Sequence, residues 1–366
     1  MAVNPVLNAV RRGWEQVQPL LLLAATATAE HAGISAAGAC PESRRLTAAA
    51  DAELLVLGPR QPRPHALPPL PAGVSPALIA HVGLRNLGLL SRIQVVDLGC
   101  PTAPTVPHLR LPGGESAGPA ACVSSGRAMP PERVRALLER GRRWGENCPR
   151  GQPLLLAECV PGGTTTALAV LQGLGIAAEG LVSGSLREPA HALKARLVRQ
   201  GLTAAGLSRA PDPIAVLTAV GDPMQVLAAG LVMALSQRGV PVLLAGGSQM
   251  AAVLAVALAL ALPQQRARLA DSCLMATTAW VAEEAGSDLR QLSRLIGERW
   301  GVNPQLEVAS LRFHTCRSQA LRDYERGYVK EGVGAGGVAV LWELSGRDPA
   351  DLARACDQGC AQLLDT

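Results

Sequence analysis

Residues 158–175 read ECVPGGTTTALAVLQGLG, an acidic residue, two adjacent glycines and three threonines running straight into an apolar helical pattern. Gly162 and Gly163 let main-chain N–H groups come close to an oxygen-rich ligand. The hydroxyls of Thr164, Thr165 and Thr166 can cap the helix or donate to a phosphate. A plain glycine turn with threonine capping would have the same spacing. A nucleoside-triphosphate loop would not, because it requires a lysine after the glycines and none follows. Glu158 is harder to account for structurally: a carboxylate at the end of a strand beside an anion site is costly unless it has a partner or a catalytic task.

Four further stretches have residues suited to chemistry. In YVKEGVGAGGVAV, from Tyr328, Gly332, Gly334 and Gly337 spell GxGxxG. A dinucleotide site would need a following βαβ unit with an acidic ribose ligand, and the chain leaves no room for one. Glu331 is the informative residue there, either a solvated cap or a general base held in a tight loop. In LVSGSLREPAHALKARLVRQGL, Ser183, Gly184 and Ser185 precede a helix carrying His191 and Lys194; a lysine on an amphipathic helix ordinarily faces solvent. In AVGDPMQ, Asp222 caps the helix after Pro223. Gly246, Gly247, Ser248 and Gln249 mark a strand-to-helix turn.

The elements that must position these residues are short Val-, Ile- and Leu-rich runs alternating with longer helical patterns, which predicts βαβ units around a parallel sheet. Candidate strands are AELLVLG, RIQVVDLG, QPLLLAEC, PIAVLTAVG, VPVLLAGG and SCLMATTAW. Ligands in such sheets collect outside the carboxyl ends of the strands, so the site should be a composite of loops from distant parts of the chain. Between Pro59 and Pro76 the segment is too proline-rich for a helix or central strand, and is expected to be an ordered loop over the site. A second irregular region runs from Gly99 to Glu132. The apolar run Met250–Leu262 is too short for a membrane span and predicts a buried helix.

Composition narrows the function classes. Of 366 residues, 48% are hydrophobic, 17% charged and 2% aromatic, so Ala, Leu, Val and Gly must pack a large layered core. The net charge of +5, without a basic run interleaved with aromatics, gives no support for nucleic-acid binding. Nine scattered cysteines form no CxxC and no zinc-type Cys/His spacing, which suggests reduced thiols in a cytoplasmic protein and no metal. Arg11 and Arg12 followed by PLLLLAATATA resemble a secretory signal, but Glu15 interrupts the pattern and the run reads equally as a first buried strand.

In this order, the motifs resemble those of the nicotinate-nucleotide:dimethylbenzimidazole phosphoribosyltransferases. That family carries Glu-x-Gly-x-Gly-Asn-Thr-Thr after a central strand, and Glu158 to Thr165 aligns without a gap. Glu158, Gly162, Thr164 and Thr165 match, Val160 replaces a glycine and Gly163 replaces the asparagine. A later glycine-rich turn and helix lysine resemble Ser183 to Ser185 and Lys194. The C-terminal Gly-Glu-Gly-Thr-Gly-Ala element resembles KEGVGA, with Val333 in place of threonine. GISAAGACPESRRLTAAADAELL is similar to a divergent branch of the family.

The resemblance implies a three-layer α/β/α fold of Rossmann type with a mostly parallel sheet, one domain over residues 1–366, and a smaller helical part from 1–50 and 320–366. It implies transfer of 5-phosphoribosyl from nicotinate mononucleotide to a benzimidazole or purine base, for a cobamide lower ligand, by a cytoplasmic homodimer without a cofactor. Glu331 would be the general base and Glu158 would stabilise the ribose cation. Gly162, Gly163, Thr164, Thr165, Lys194, Ser183, Gly332 and Gly334 would bind the sugar phosphate. The alternatives are a non-catalytic nucleotide-binding protein on the same fold, and a phosphate-handling enzyme of another kind, which would need the missing phosphate-loop lysine and an acidic metal cluster.

Overall fold

The computed structural model describes residues 5–111 and 117–364. Seven strands form one sheet: β1 Gln18–Leu23, β2 Gln94–Asp97, β3 Leu109–Arg110, β4 Leu154–Cys159, β5 Val242–Ala245, β6 Cys273–Thr277 and β7 Gln305–Val308, in the order β3-β2-β1-β4-β5-β6-β7. All neighbours are parallel. The central strands are nearly continuous apolar runs because helices cover both faces. Leu20, Leu22, Leu154, Leu156, Val242 and Leu244 point into one buried cluster, while Leu21, Leu23, Leu155, Leu243 and Ala245 point into the other.

The chain divides its helices between the two faces. The middle of the sequence, including helices Gly163–Gly173, His191–Ala205, Pro223–Gln237 and Ser248–Leu260, covers the first face. Helices Pro5–Gly13, Pro41–Leu57, Ala77–Asn86, Ala335–Leu344 and Pro349–Leu364 cover the second, so residues near both termini share a layer. The PLLLL run is a central strand, paired with β2 on one side and β4 on the other. Among the described residues no helix is long and apolar enough to cross a membrane.

Two expected strands are helices. AELLVLG ends Pro41–Leu57, which begins with proline in its first turn, buries Ala48, Ala52 and Leu55 at helical spacing, and stops at Gly58 with φ +82°. PIAVLTAVG is Pro213–Val220, where Asp212 caps the N-terminus by accepting from the Ile214 N–H. Short apolar runs do not distinguish the two states by periodicity, and here proline at the helix start and N-terminal capping decide. β7, partly exposed along its length, and the two-residue β3 lack the apolar signal and were not expected. The irregular region after Gly99 otherwise holds one 3₁₀ turn, Val123–Ser125, and its residues 112–116 lie outside the described ones.

Candidate active site

The strand order reverses direction between β1 and β4, where Leu22 pairs with Glu158 and Leu23 with Cys159. A sheet opens a crevice at such a switch point, and a cavity of about 400 Å³ lies there. Glu158, Gly162, Gly163, Thr164, Ser183, Glu331 and Gly332 all line it. Thr165, Lys194 and Gly334 do not. Thr165 and Lys194 are fully buried, and Gly334 sits at φ +77° against Ala157, where its conformation starts helix Ala335–Leu344.

Glu331 is held by four donors. Its Oε2 accepts from Thr277 Oγ1 at 3.0 Å and the Thr278 N–H at 3.1 Å; its Oε1 accepts from the Gly332 and Gly336 N–H groups, each at 3.0 Å. Burial pushes its pKa up, against the pull of these bonds. Its loop is strained: Val329, Lys330 and Val333 have φ of +64°, +65° and +53°, a region β-branched residues rarely enter. Lys330 pins it, donating through Nζ to Glu284 Oε1 and to the Leu186 carbonyl, both at 2.6 Å, with both ionic side chains buried.

Glu158 accepts from the Val160 N–H at 3.0 Å. Burial, then repulsion from Glu331 and Asp222, pushes its pKa up to about 8. A carboxyl kept neutral chiefly by burial can ionise once a cationic ligand arrives.

Helix starts and hydroxyls surround the carboxyls on one side. Helices Gly163–Gly173 and Ser248–Leu260 both begin at the cavity and direct their positive ends toward it. Gly162 is the left-handed residue that opens the first of these, without a side-chain cap. The turn Ser183–Ser185 is tied down from several directions. The Ser183 N–H donates to Ser248 Oγ (2.9 Å), Ser183 Oγ to Glu284 Oε2 (2.5 Å), and the Ala36 N–H to Ser185 Oγ (2.8 Å). Lys194 supports this turn from beneath, with Nζ donating to the Ser183 carbonyl at 2.6 Å; burial lowers its pKa to about 7.

Gln249 gives a physical account of the glycine at 163. A Cβ on Gly163 would overlap the Gln249 side-chain amide, so the carboxamide from the β5 turn fills the volume a side chain at 163 would occupy. The proline-rich segment contributes Arg63, Leu67, Pro68, Leu70 and residues 73–76 to the lining. Buried Glu53 anchors it, accepting from the His65 N–H at 3.0 Å and contacting His65 Nδ1 at 2.7 Å. Sequence reasoning missed Asp51, Ser75, Glu284 and Lys330, and it saw in Ser248 and Gln249 only a turn.

Known proteins resemble this chain in sequence and in fold. A family model described as phosphoribosyltransferase matches residues 88–275. A UPF0284 protein of Parasynechococcus marenigrum is 54% identical, over 94% of this chain and 87% of its own length. This chain belongs to the phosphoribosyltransferase family. A UPF0284 protein of Gloeobacter violaceus is 45% identical over 92% of the chain and 85% of its own. CobT from Thermus thermophilus has the same fold, with TM-score 0.59 and 20% identity over 97% of this chain and 90% of that one. A second structure from that organism, a nicotinate-nucleotide-dimethylbenzimidazole phosphoribosyltransferase, gives TM-score 0.58 at 20% identity, covering 99% and 93%. Sheet, switch-point cavity and family membership together make the chain a phosphoribosyltransferase.

Proposed function

We propose that this phosphoribosyltransferase moves the 5-phosphoribosyl group of nicotinate mononucleotide to a benzimidazole or purine base, giving an α-ribotide for a cobamide lower ligand. The observation that carries the reading is the pairing of two carboxyls, the buried Glu158 and the half-buried Glu331, in one cavity flanked by two helix starts. The names of the two structural neighbours are consistent with it.

In this reading the bond from C1′ to the nicotinate ring breaks and its electron pair neutralises the ring nitrogen. The bond from C1′ to the acceptor nitrogen forms, and the acceptor's ring proton passes to Glu331. Glu331 has little free lone-pair capacity while four donors hold it. Thr277 resolves this: its hydroxyl is a rotor that can turn from donor to acceptor, freeing one lone pair of Oε2 while the Thr278 N–H keeps the other, and then receiving a bond from the protonated carboxyl. Glu158, ionised beside the cationic nucleotide, stabilises positive charge on the ribose.

The sugar phosphate is held by Gly162, Gly163, Thr164, Ser183 and Gly332, with Lys194, Thr165 and Gly334 positioning these groups from behind. Residues 1–366 act as one domain, in which the helices of 1–50 and 320–366 form a smaller part over one face of the sheet while Gln18–Leu23 lies within the sheet itself; a sheet with a buried cluster on each face supports this. The protein works as a homodimer in the cytoplasm, a location supported by its nine unpaired cysteines.

The test is mass-resolved product analysis after mixing the protein with nicotinate mononucleotide and either dimethylbenzimidazole or adenine, with Glu331→Gln in parallel. Nicotinate plus a new α-ribotide, lost in the variant, is expected. Tight nucleotide binding without release of nicotinate would replace the transferase reading with a binding protein on this fold.

A further inference from the structure

The cavity straddles the carboxyl edge of the sheet, and its two halves differ in chemistry. Over the first face lie the helix starts, glycines and serines described above. Over the second lies a mostly apolar slot walled by Leu67, Leu70, Val74 and Val333, with one carboxyl in it, Asp51. Asp51 comes from helix Pro41–Leu57 and is only 6% exposed. Its Oδ1 accepts from Ser75 Oγ at 2.6 Å, and Oδ2 meets only the weak thiol donor of Cys159, at 3.4 Å. The Ala77 N–H donates to Ser75 Oγ at 3.1 Å, so the serine proton is directed at Asp51 and the carboxyl is fixed in place.

A buried carboxyl with one strong donor and one weak one is under-satisfied, and a ligand that supplies an N–H or O–H relieves that cost. Burial pushes its pKa up to about 6, so it still ionises near neutrality and accepts a hydrogen bond. The pair lies beside the loop of Glu331, since a Cβ on Gly332 would stand 3.0 Å from Pro76 Cγ, next to Ser75.

On the reading of the site given above, we propose that Asp51 reads the acceptor base. It selects a heteroaromatic ring that carries a second hydrogen-bond donor besides the ring N–H whose proton passes to Glu331. An aminopurine meets this requirement with its exocyclic amine, and dimethylbenzimidazole, whose substituents are methyl groups, does not. Ser75 orients the carboxyl and the apolar walls stack on the ring.

The test is a competition between adenine and dimethylbenzimidazole for transfer from nicotinate mononucleotide, reading the ratio of ribotides for wild type, Asp51→Asn and Ser75→Ala. Wild type should favour adenine. Asp51→Asn should cut that preference about ten- to hundred-fold, and Ser75→Ala should cut it less, in keeping with the loss of a hydrogen bond to a charged group. An unchanged ratio, a wild-type preference for dimethylbenzimidazole, or a change confined to KM for the nucleotide would overturn the assignment. Calorimetric binding of each base to the same proteins tests the assignment without turnover. Adenine binding lost in Asp51→Asn with dimethylbenzimidazole binding kept supports it; equal effects on both overturn it. Absence of any ribotide from wild type would instead count against the transferase reading.

Discussion

At the end of the cavity assigned to the sugar phosphate, the ligand meets helix starts, glycines and serine hydroxyls; at the end assigned to the base, it meets apolar walls and the carboxyl of Asp51. Lys194 and Lys330 contribute to the first end only from behind, one beneath the serine turn and one bound to Glu284. The anion can thus be received by neutral dipoles whose orientation is already fixed, while the cations hold that orientation. The second end sets the carboxyl of Asp51, with Arg63 on the same wall, against the ring. Glu331 and Glu158 lie between the two, where bonds are exchanged.

The predictions that break or sharpen this contrast run from large to small. Glu331→Gln should lower single-turnover transfer by about 10²- to 10⁴-fold while calorimetry still detects nucleotide binding; retained turnover would remove the proton acceptor from the junction. Lys330→Met leaves Glu284 buried without its cation and releases a strained loop. Denaturant unfolding should show a loss of about 3–5 kcal/mol, and a loss below about 1 kcal/mol would mean the pair does not hold that end together.

Glu158 has a folded pKa near 8, above its ordinary value of 4.5. Its contribution to stability is therefore fully present below about pH 4.5 and lost as pH rises through 8. Glu158→Gln should remove a decline of a few kcal/mol between those limits, measured by denaturation from about pH 5 to about pH 9; an identical slope in the variant would place Glu158 in water. Gly163→Asn collides with Gln249 and should cost about 1–3 kcal/mol, with Gln249→Ala recovering most of it in the double variant. Thr277→Val should slow transfer about ten-fold and Thr277→Ser should not, since only a hydroxyl can exchange donor for acceptor; equal rates would leave Glu331 to act without that rotor.

The contrast between the two ends also governs what could be read beforehand. Glu158, Gly162, Gly163 and Thr164 are contiguous after an apolar strand, so their order alone suggests a loop at a helix start, and Glu331 and Gly332 have the same advantage. Thr165, next to the first of those stretches, and Lys194, on the helix after the Ser183–Ser185 turn, point into the interior, because helical rotation aims successive side chains in different directions. Asp51, in AAADAELL, looks like one polar position on an alanine-rich helix. Nothing local shows that Ser75 and Cys159 will meet it across the sheet edge. Lys330 was hidden by its neighbour, as a lysine beside a glutamate in a glycine loop reads as exposed until its backbone is known to be left-handed.

The overlap between positions 163 and 249 also restricts the order in which substitutions can accumulate. A larger residue at 163 and glutamine at 249 cannot coexist without displacement, whereas glycine at 163 with a small residue at 249 leaves only a gap. A lineage exchanging one arrangement for the other avoids displacing the carboxamide by shortening one side chain before lengthening its neighbour. The two positions are thereby inherited as a pair, although one lies after β4 and the other after β5.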